Sequence, residues 1–339
     1  MKTADLNYSY PEELVATAPA PSFRTLVHDT TQILECSKSD LLDRFSPGDV
    51  LVINDTRVQK RRVFAKSGEE VLFIKDLGQL QWQVLFPARG MQVGEVLSLP
   101  AHVEMQLVEK GLPQTVKLNR ALDDDYFESF GELALPPYIQ KARGDRHMSA
   151  DDETWYQTSW AKNSGSAAAP TASLHFSKED LELLSARGVK VVPITLHVGL
   201  GTFLPVKTDR LDEHVMHHEW VEIPPDTALA VNKAKVEGRL IWALGTTVTR
   251  ALEAWKEGHL ALQDDRYFRG ETNLFIKPGF EFKVVDRLLT NFHQPQSTLL
   301  ALVCAFAGYD EVLWAYKLGI GRRMRLFSYG DLTVWYRRL

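Results

Sequence analysis

The residues of this chain best suited to chemistry fall in short polar stretches, each set between apolar runs. His293 stands in TNFHQPQSTL, residues 290–299, two positions after Asn291 and just before Pro295. An apolar segment from Leu299 to Ala307 follows, with Ser297 as a plausible N-cap, so Asn291 and His293 are expected on a short loop entering a buried helix. His175 ends the small-residue run GSAAAPTASLHF, residues 165–176, whose backbone N–H groups are either free to approach a ligand or part of a plain linker. Ser177 and Asp180 resemble a capping box, which puts His175 just ahead of a helix N-terminus, where a neutral imidazole is favoured. His197 opens HVGLGTF, residues 197–203, a glycine turn of the kind that cradles ligands. In HVMHHEWVEI, residues 214–223, His214 and His218 have the helical spacing of a metal pair but lack a third ligand. Alternation favours a strand there, with Val215, His217, Glu219, Val221 and Ile223 on one face and His217 beside Glu219 as an acid/base pair.

These groups need elements to hold them. Val50 to Ile53 reads as a buried strand ending in Asn54, Asp55, Thr56 and Arg57, a polar quartet that is either an Asx turn or a ligand-binding edge of an α/β sheet. Val189 to Val198 and Leu240 to Leu244 read as further strands. The second runs into Gly245, Thr246 and Thr247 and a helix carrying Arg250, a natural anion or carboxylate pocket in which Thr246 and Arg250 share a face. Phe280, Phe282 and Val284 alternate like a strand, and Pro225 and Asp226 start a helix through Val236. Between Val58 and about Leu135 the texture changes to short strand-like runs separated by turn signals, which predicts a small β-barrel inserted into the main domain. The fold class expected is therefore α/β: a main α/β domain with an inserted small antiparallel β-barrel domain. Its first part is residues 1–57, the insertion 58–149 and its second part 150–339. Leu135 to Tyr138 is the expected return hinge, followed by a charged segment to Thr154, expected to be mobile.

With 45% hydrophobic and 24% charged residues, the composition is that of a globular protein, and 339 residues suffice for two or three domains. The apolar run at 299–307 is too short for a membrane span and MKTADLNYSY has no apolar core, so a cytoplasmic location is expected. Cys36 and Cys304 read as packing thiols. A net charge of -5 does not itself suggest nucleic acid, yet basic clusters occur at Lys60, Arg61 and Arg62, at Lys141, Arg143 and Arg146, and at Arg322, Arg323 and Arg325.

Several stretches together resemble one family. NDTR at 54–57, LPPYI at 135–139, APTASLHF at 169–176, TLHVGLGTF at 195–203, HVMHHE at 214–219, GTT at 245–247, TNFHQPQSTL at 290–299 and FSYGD at 327–331 look like the S-adenosylmethionine:tRNA ribosyltransferase-isomerases of queuosine synthesis. The resemblance implies movement of the ribosyl part of S-adenosylmethionine to 7-aminomethyl-7-deazaguanine at the wobble position of a tRNA. Epoxyqueuosine-tRNA forms, and adenine and methionine leave. S-adenosylmethionine is then a co-substrate, and neither a separate cofactor nor a metal is expected. A monomer is expected.

That chemistry needs proton transfer at the ribose, at adenine and at the attacking amine. The implied catalytic candidates are His175, His197, His217 and His293, with Asp55 and Glu219 orienting them or acting directly. Candidates for binding substrate are Asn54, Thr56, Arg57, Thr171, Gly199, Gly201, Thr202, Thr246, Arg250, Asn291, Ser297, Tyr329 and Asp331. Those for tRNA are Lys60, Arg61, Arg143, Arg322 and Arg323. The chain departs from the family pattern at Leu204, where Arg is usual after GTF, at Trp160 in place of Tyr, and at Ser173 in place of Gly before LHF.

Overall fold

Val50–Asn54 lies in the middle of a sheet in a computed structural model that describes residues 1–199 and 206–338. Among the described residues this sheet has ten strands. Its centre is a parallel run of Lys190–Leu196, Val50–Asn54, Ile241–Leu244 and Arg287–Asn291. Arg287–Asn291 then pairs antiparallel with Leu332–Tyr336, which runs parallel to Thr25–His28. The unbroken apolar runs in the central strands follow from burial on both faces. Val50, Val52, Ile194 and Ile241 join one core, while Leu51, Ile53, Trp242 and Leu244 join another.

This topology gathers the polar stretches. The four parallel strands end at one edge and release Asp55, His197, Gly245 and His293 there, the edge at which open α/β sheets bind ligands. Asn291 is paired with Leu332 and Leu332 with Thr25, so Ser328 to Asp331 and Phe23 to Arg24 arrive at the same edge from the other direction.

A second, antiparallel sheet has seven strands among the described residues, in the order Gly131–Glu132, Arg62–Phe64, Glu70–Gly78, Gln81–Leu85, Gln114–Leu118, Val103–Glu109, Val96–Leu99. Val103, Met105 and Leu107 point into its own core, while Glu104 and Gln106 face solvent. The sheet curls until the Lys66 N–H donates to the Ser98 carbonyl at 2.9 Å, a half-barrel beside the large mixed sheet.

Several local expectations change. Phe280 to Val284 is not a strand, because the N–H groups of Lys283, Val284 and Val285 all donate to the buried Glu253 carboxylate instead of to a neighbouring strand. The strand starts later, at Arg287. The charged segment after the hinge is ordered by Pro137–Arg143, a helix ending at Gly144 with φ 69, and by Arg143 gripping the carboxylate of fully buried Asp152. Ser297 caps Thr298–Ala307 through the Leu300 N–H, and this helix meets Tyr309–Gly321 at 113° across Gly308. Among the described residues no single helix is long and apolar enough to cross a membrane.

Candidate active site

Thr171, His175, Asn291 and Ser328 come from separate stretches of sequence and form one hydrogen-bonded group. The Thr171 hydroxyl donates to Asn291 Oδ1 at 2.9 Å, and Asn291 Nδ2 reaches His175 Nε2 at 3.0 Å and the Ser328 carbonyl at 3.5 Å. Asn291 is the last residue of its strand and 2% exposed, so its amide is held by the sheet. His175 lines a cleft of about 840 Å³ whose walls include Phe23, Arg24, Lys38, Arg325 and Tyr329. The Phe23 ring lies 4.6 Å from the imidazole, centre to centre. Burial, joined by the positive charges of Arg325 and Lys38, pushes His175 down to about 3, so the ring is neutral at physiological pH. The helix end foreseen beside it is present, Lys178–Ala186, capped by Ser177.

On the other side of Asn291 is a small pocket of about 70 Å³, lined by Thr171, Thr246, Thr247, His293 and Ser297 among others. His293 accepts or donates at Nε2 with the Thr290 hydroxyl at 2.8 Å, and its N–H donates to the Tyr316 hydroxyl. Burial pushes this imidazole, too, down to about 3.

A second polar group forms where Val50–Asn54 and Lys190–Leu196 end. Thr195 donates to Asp55 at 2.6 Å, and the Asn163 amide reaches both Asp55 oxygens at 3.2 Å. Thr56 Oγ1 is 2.8 Å from His197 Nδ1. Gly165 permits this: a Cβ there would come within 2.8 Å of His197 Nε2. Burial lowers the His197 pKa despite the nearby carboxylates of Asp55 and Glu222. Asn54 is fully buried and ties the two strands through the Leu196 N–H and carbonyl, which leaves it no free edge for a ligand. Arg57 is exposed next to this group.

The expected His217–Glu219 pair does not form. The strand begins only at Glu219, His217 is exposed, and the Glu219 carboxylate is taken by buried Arg250 and by the Gly199 N–H at 2.9 Å. Arg250 and Glu219 therefore anchor Gly199 to the Thr246–Lys256 helix. Asp331 staples its own turn, accepting from the Arg24 and Arg325 N–H groups. Tyr329 donates to Asp152. Gly201, Thr202 and Leu204 lie outside the described residues.

The tRNA candidates do not converge as free cations. Lys60 pairs with Glu128 and Glu153, Arg61 with Asp124, Arg143 with Asp152, Arg322 with Glu35 and Arg323 with Glu13. Arg61 is also stacked 4.1 Å above Phe127. Among the described residues no three His, Cys, Asp or Glu side chains are placed to hold a metal, and His214 packs edge-on against Phe275. Phe23, Lys38 and Asn163 were not singled out from the sequence, and Arg325 was noted only as part of a basic cluster. Each is an ordinary residue type whose place at the site comes only from tertiary pairing.

Comparison with known proteins gives the family. The family model described as queuosine biosynthesis protein matches residues 3–334. A protein of Syntrophotalea carbinolica named S-adenosylmethionine:tRNA ribosyltransferase-isomerase is 42% identical, covering 98% of this chain and 99% of its own. One of the same name from Halothermothrix orenii is 40% identical over the same shares. The crystal structure of S-adenosylmethionine tRNA ribosyltransferase from Thermotoga maritima is similar with a TM-score of 0.55 and 29% identity, covering 97% of this chain and 99% of that one. With near-complete coverage at this identity, the chain belongs to the queuosine biosynthesis protein family.

Proposed function

We propose that the chain is an S-adenosylmethionine:tRNA ribosyltransferase-isomerase acting on tRNA that carries 7-aminomethyl-7-deazaguanine at the wobble position. The observation that carries the reading to a site is the Thr171–Asn291–His175 group, assembled from separate family-like motifs at the wall of the larger cleft.

The sulfonium acidifies the ribose C5' hydrogens, so a positioned base removes one of them. Asp55, an oriented carboxylate 9% exposed, and neighbouring His197 are the groups proposed for that proton. The amine of the modified base attacks the ribosyl group, adenine and methionine leave, and epoxyqueuosine remains on the tRNA. Neutral His175 suits the departure of adenine, since it offers an N–H without adding a charge to the cleft. Thr56, Thr171, Thr246, Asn291 and Ser297 hold substrate in this reading, while Arg250 and Glu219 act by positioning. S-adenosylmethionine is the co-substrate.

The half-barrel is taken as a domain inserted at 58–149 between the two parts of the main domain, 1–57 and 150–339. The tRNA is placed along the rim, where Arg57, Arg322 and Arg323 are exposed. The enzyme is proposed to work as a cytoplasmic monomer.

The test follows adenine release from S-adenosylmethionine with the modified tRNA, together with mass analysis of its nucleosides. Matched adenine and epoxyqueuosine is the expected result. No adenine, from folded protein that still binds the tRNA, would overturn the transferase reading in favour of a binding protein, and Leu204→Arg would be the next variant.

A further inference from the structure

The pocket of about 70 Å³ has an unusual electrostatic character. Among the described residues none of its lining side chains is Asp, Glu, Lys or Arg. Beside neutral polar side chains such as Thr171, Asn291 and His293, two helices begin at its wall, Thr246–Lys256 and Thr298–Ala307. The second has its own cap, because the Ser297 hydroxyl accepts from the Leu300 N–H. The first has none: its N-cap is Gly245, and among the described residues no side chain caps it. The leading N–H groups of a helix have no acceptor within it and carry the positive end of its dipole.

A second observation points the same way. The Thr247 hydroxyl lines this pocket, is 8% exposed as a residue, and has no hydrogen-bond partner among the described residues. A buried hydroxyl without a partner loses free energy that a ligand oxygen would restore. Gly245 keeps the approach open, since its φ of 103° would strain any side chain there.

We propose that this pocket holds the α-carboxylate of the amino-acid end of S-adenosylmethionine, with the Thr246 and Thr247 N–H groups and the Thr247 hydroxyl as donors. The assignment rests on the transferase reading above and adds to it which end of the substrate goes where. The size allows it: a pocket of about 70 Å³ has room for a carboxylate together with a few waters. Asn291 lines this pocket and bonds to His175 in the wall of the larger cleft, so the amino-acid end and the adenosyl end of one molecule lie on the two sides of Asn291.

The test is calorimetric binding of S-adenosylmethionine and of its decarboxylated analogue to the full chain, wild type, Thr247→Val and Thr247→Ser. The wild type is expected to bind the decarboxylated compound about ten- to a hundredfold more weakly, the worth of hydrogen bonds to a charged group. Thr247→Val should weaken S-adenosylmethionine by about tenfold and leave the analogue unchanged, while Thr247→Ser keeps the discrimination. Equal wild-type affinity for the two compounds overturns the proposal without any variant. Weaker tRNA binding by Thr247→Val with unchanged S-adenosylmethionine affinity assigns the pocket to a phosphate and also overturns it. If S-adenosylmethionine does not bind at all, the transferase reading fails with it, an outcome distinct from binding without discrimination.

Discussion

Asn291 Nδ2 donates to His175 Nε2 at 3.0 Å, and this one contact decides which proton the histidine can give. The Thr171 hydroxyl and the Ser328 carbonyl fix the orientation of the amide, with oxygen toward Thr171 and nitrogen toward His175. His175 Nε2 is then an acceptor, and the proton resides on Nδ1.

Nitrogen-15 spectra of the imidazole should therefore show the Nδ1–H tautomer of His175, with no titration between pH 5 and 8, since the ring is pushed down to about 3. Asn291→Asp offers an acceptor in place of a donor, which draws the proton to Nε2. The turnover number should fall by about a hundredfold, the usual worth of a preorganised hydrogen-bond donor aimed at charge developing on a leaving group. An unchanged tautomer with lost activity would show that Asn291 acts on the substrate directly.

Buried neutral histidines also leave a mark on stability. His175 and His293 are both pushed down to about 3 from a usual value near 6.5. Between those values the unfolded chain takes up protons that the fold refuses, so stability falls as pH falls from about 6.5 toward 3, and neither group contributes to this slope above 6.5. The check is denaturant unfolding of wild type and His293→Gln. Their difference in stability should be constant above pH 6.5 and shrink below it. A difference constant down to pH 4 would mean that His293 titrates normally in the fold.

Gly165→Ala should disturb His197 from a distance in sequence. The new Cβ would lie 2.8 Å from Nε2, forcing the ring off its contact with Thr56, and the φ of 148° adds backbone strain. The expected loss is on the order of 1–3 kcal/mol of stability, with activity reduced further. In a His197→Ala background the same change should cost less, because only the strain remains. Additive effects in that double-mutant cycle would rule out the steric coupling.

Much of this arrangement is legible in the sequence, for reasons visible at particular residues. Val50 to Ile53 and Leu240 to Leu244 are apolar throughout because both faces of their sheet are covered, and Ser177 and Ser297 cap the helices their positions suggest. The strand expected at Phe280 failed because alternation does not reveal that a carboxylate far along the chain, Glu253, takes its N–H groups. The His217–Glu219 pair failed for a similar reason: Arg250 reaches Glu219 from a helix thirty-one positions away. Asn163 and Phe23 stay hidden until strand pairing brings Asn163 to Thr56 and packing brings Phe23 to His175.

That Arg250–Glu219 pair is itself a stability prediction. Both side chains are 4% exposed, so removing one takes a buried counter-charge from the other, even though Glu219 keeps the Gly199 N–H. Arg250→Met or Glu219→Gln should each cost about 3–5 kcal/mol in denaturant unfolding, whereas the double replacement should cost much less than the sum. Additivity of the single losses would show that the two charges do not depend on each other.

Ser173 stands where the family pattern has Gly, and its hydroxyl is fully buried without a hydrogen-bond partner among the described residues. Burying an unpaired hydroxyl costs free energy. Ser173→Ala keeps the carbon and removes the oxygen, so it should stabilise the chain by about 1 kcal/mol, read as a higher denaturant midpoint at unchanged slope. Catalysis should be unaffected, because Ser173 contributes no hydrogen bond to the Thr171–Asn291–His175 group. A loss of stability would show that the hydroxyl has found a partner in solution, and a loss of turnover at full stability would place that partner in the reaction.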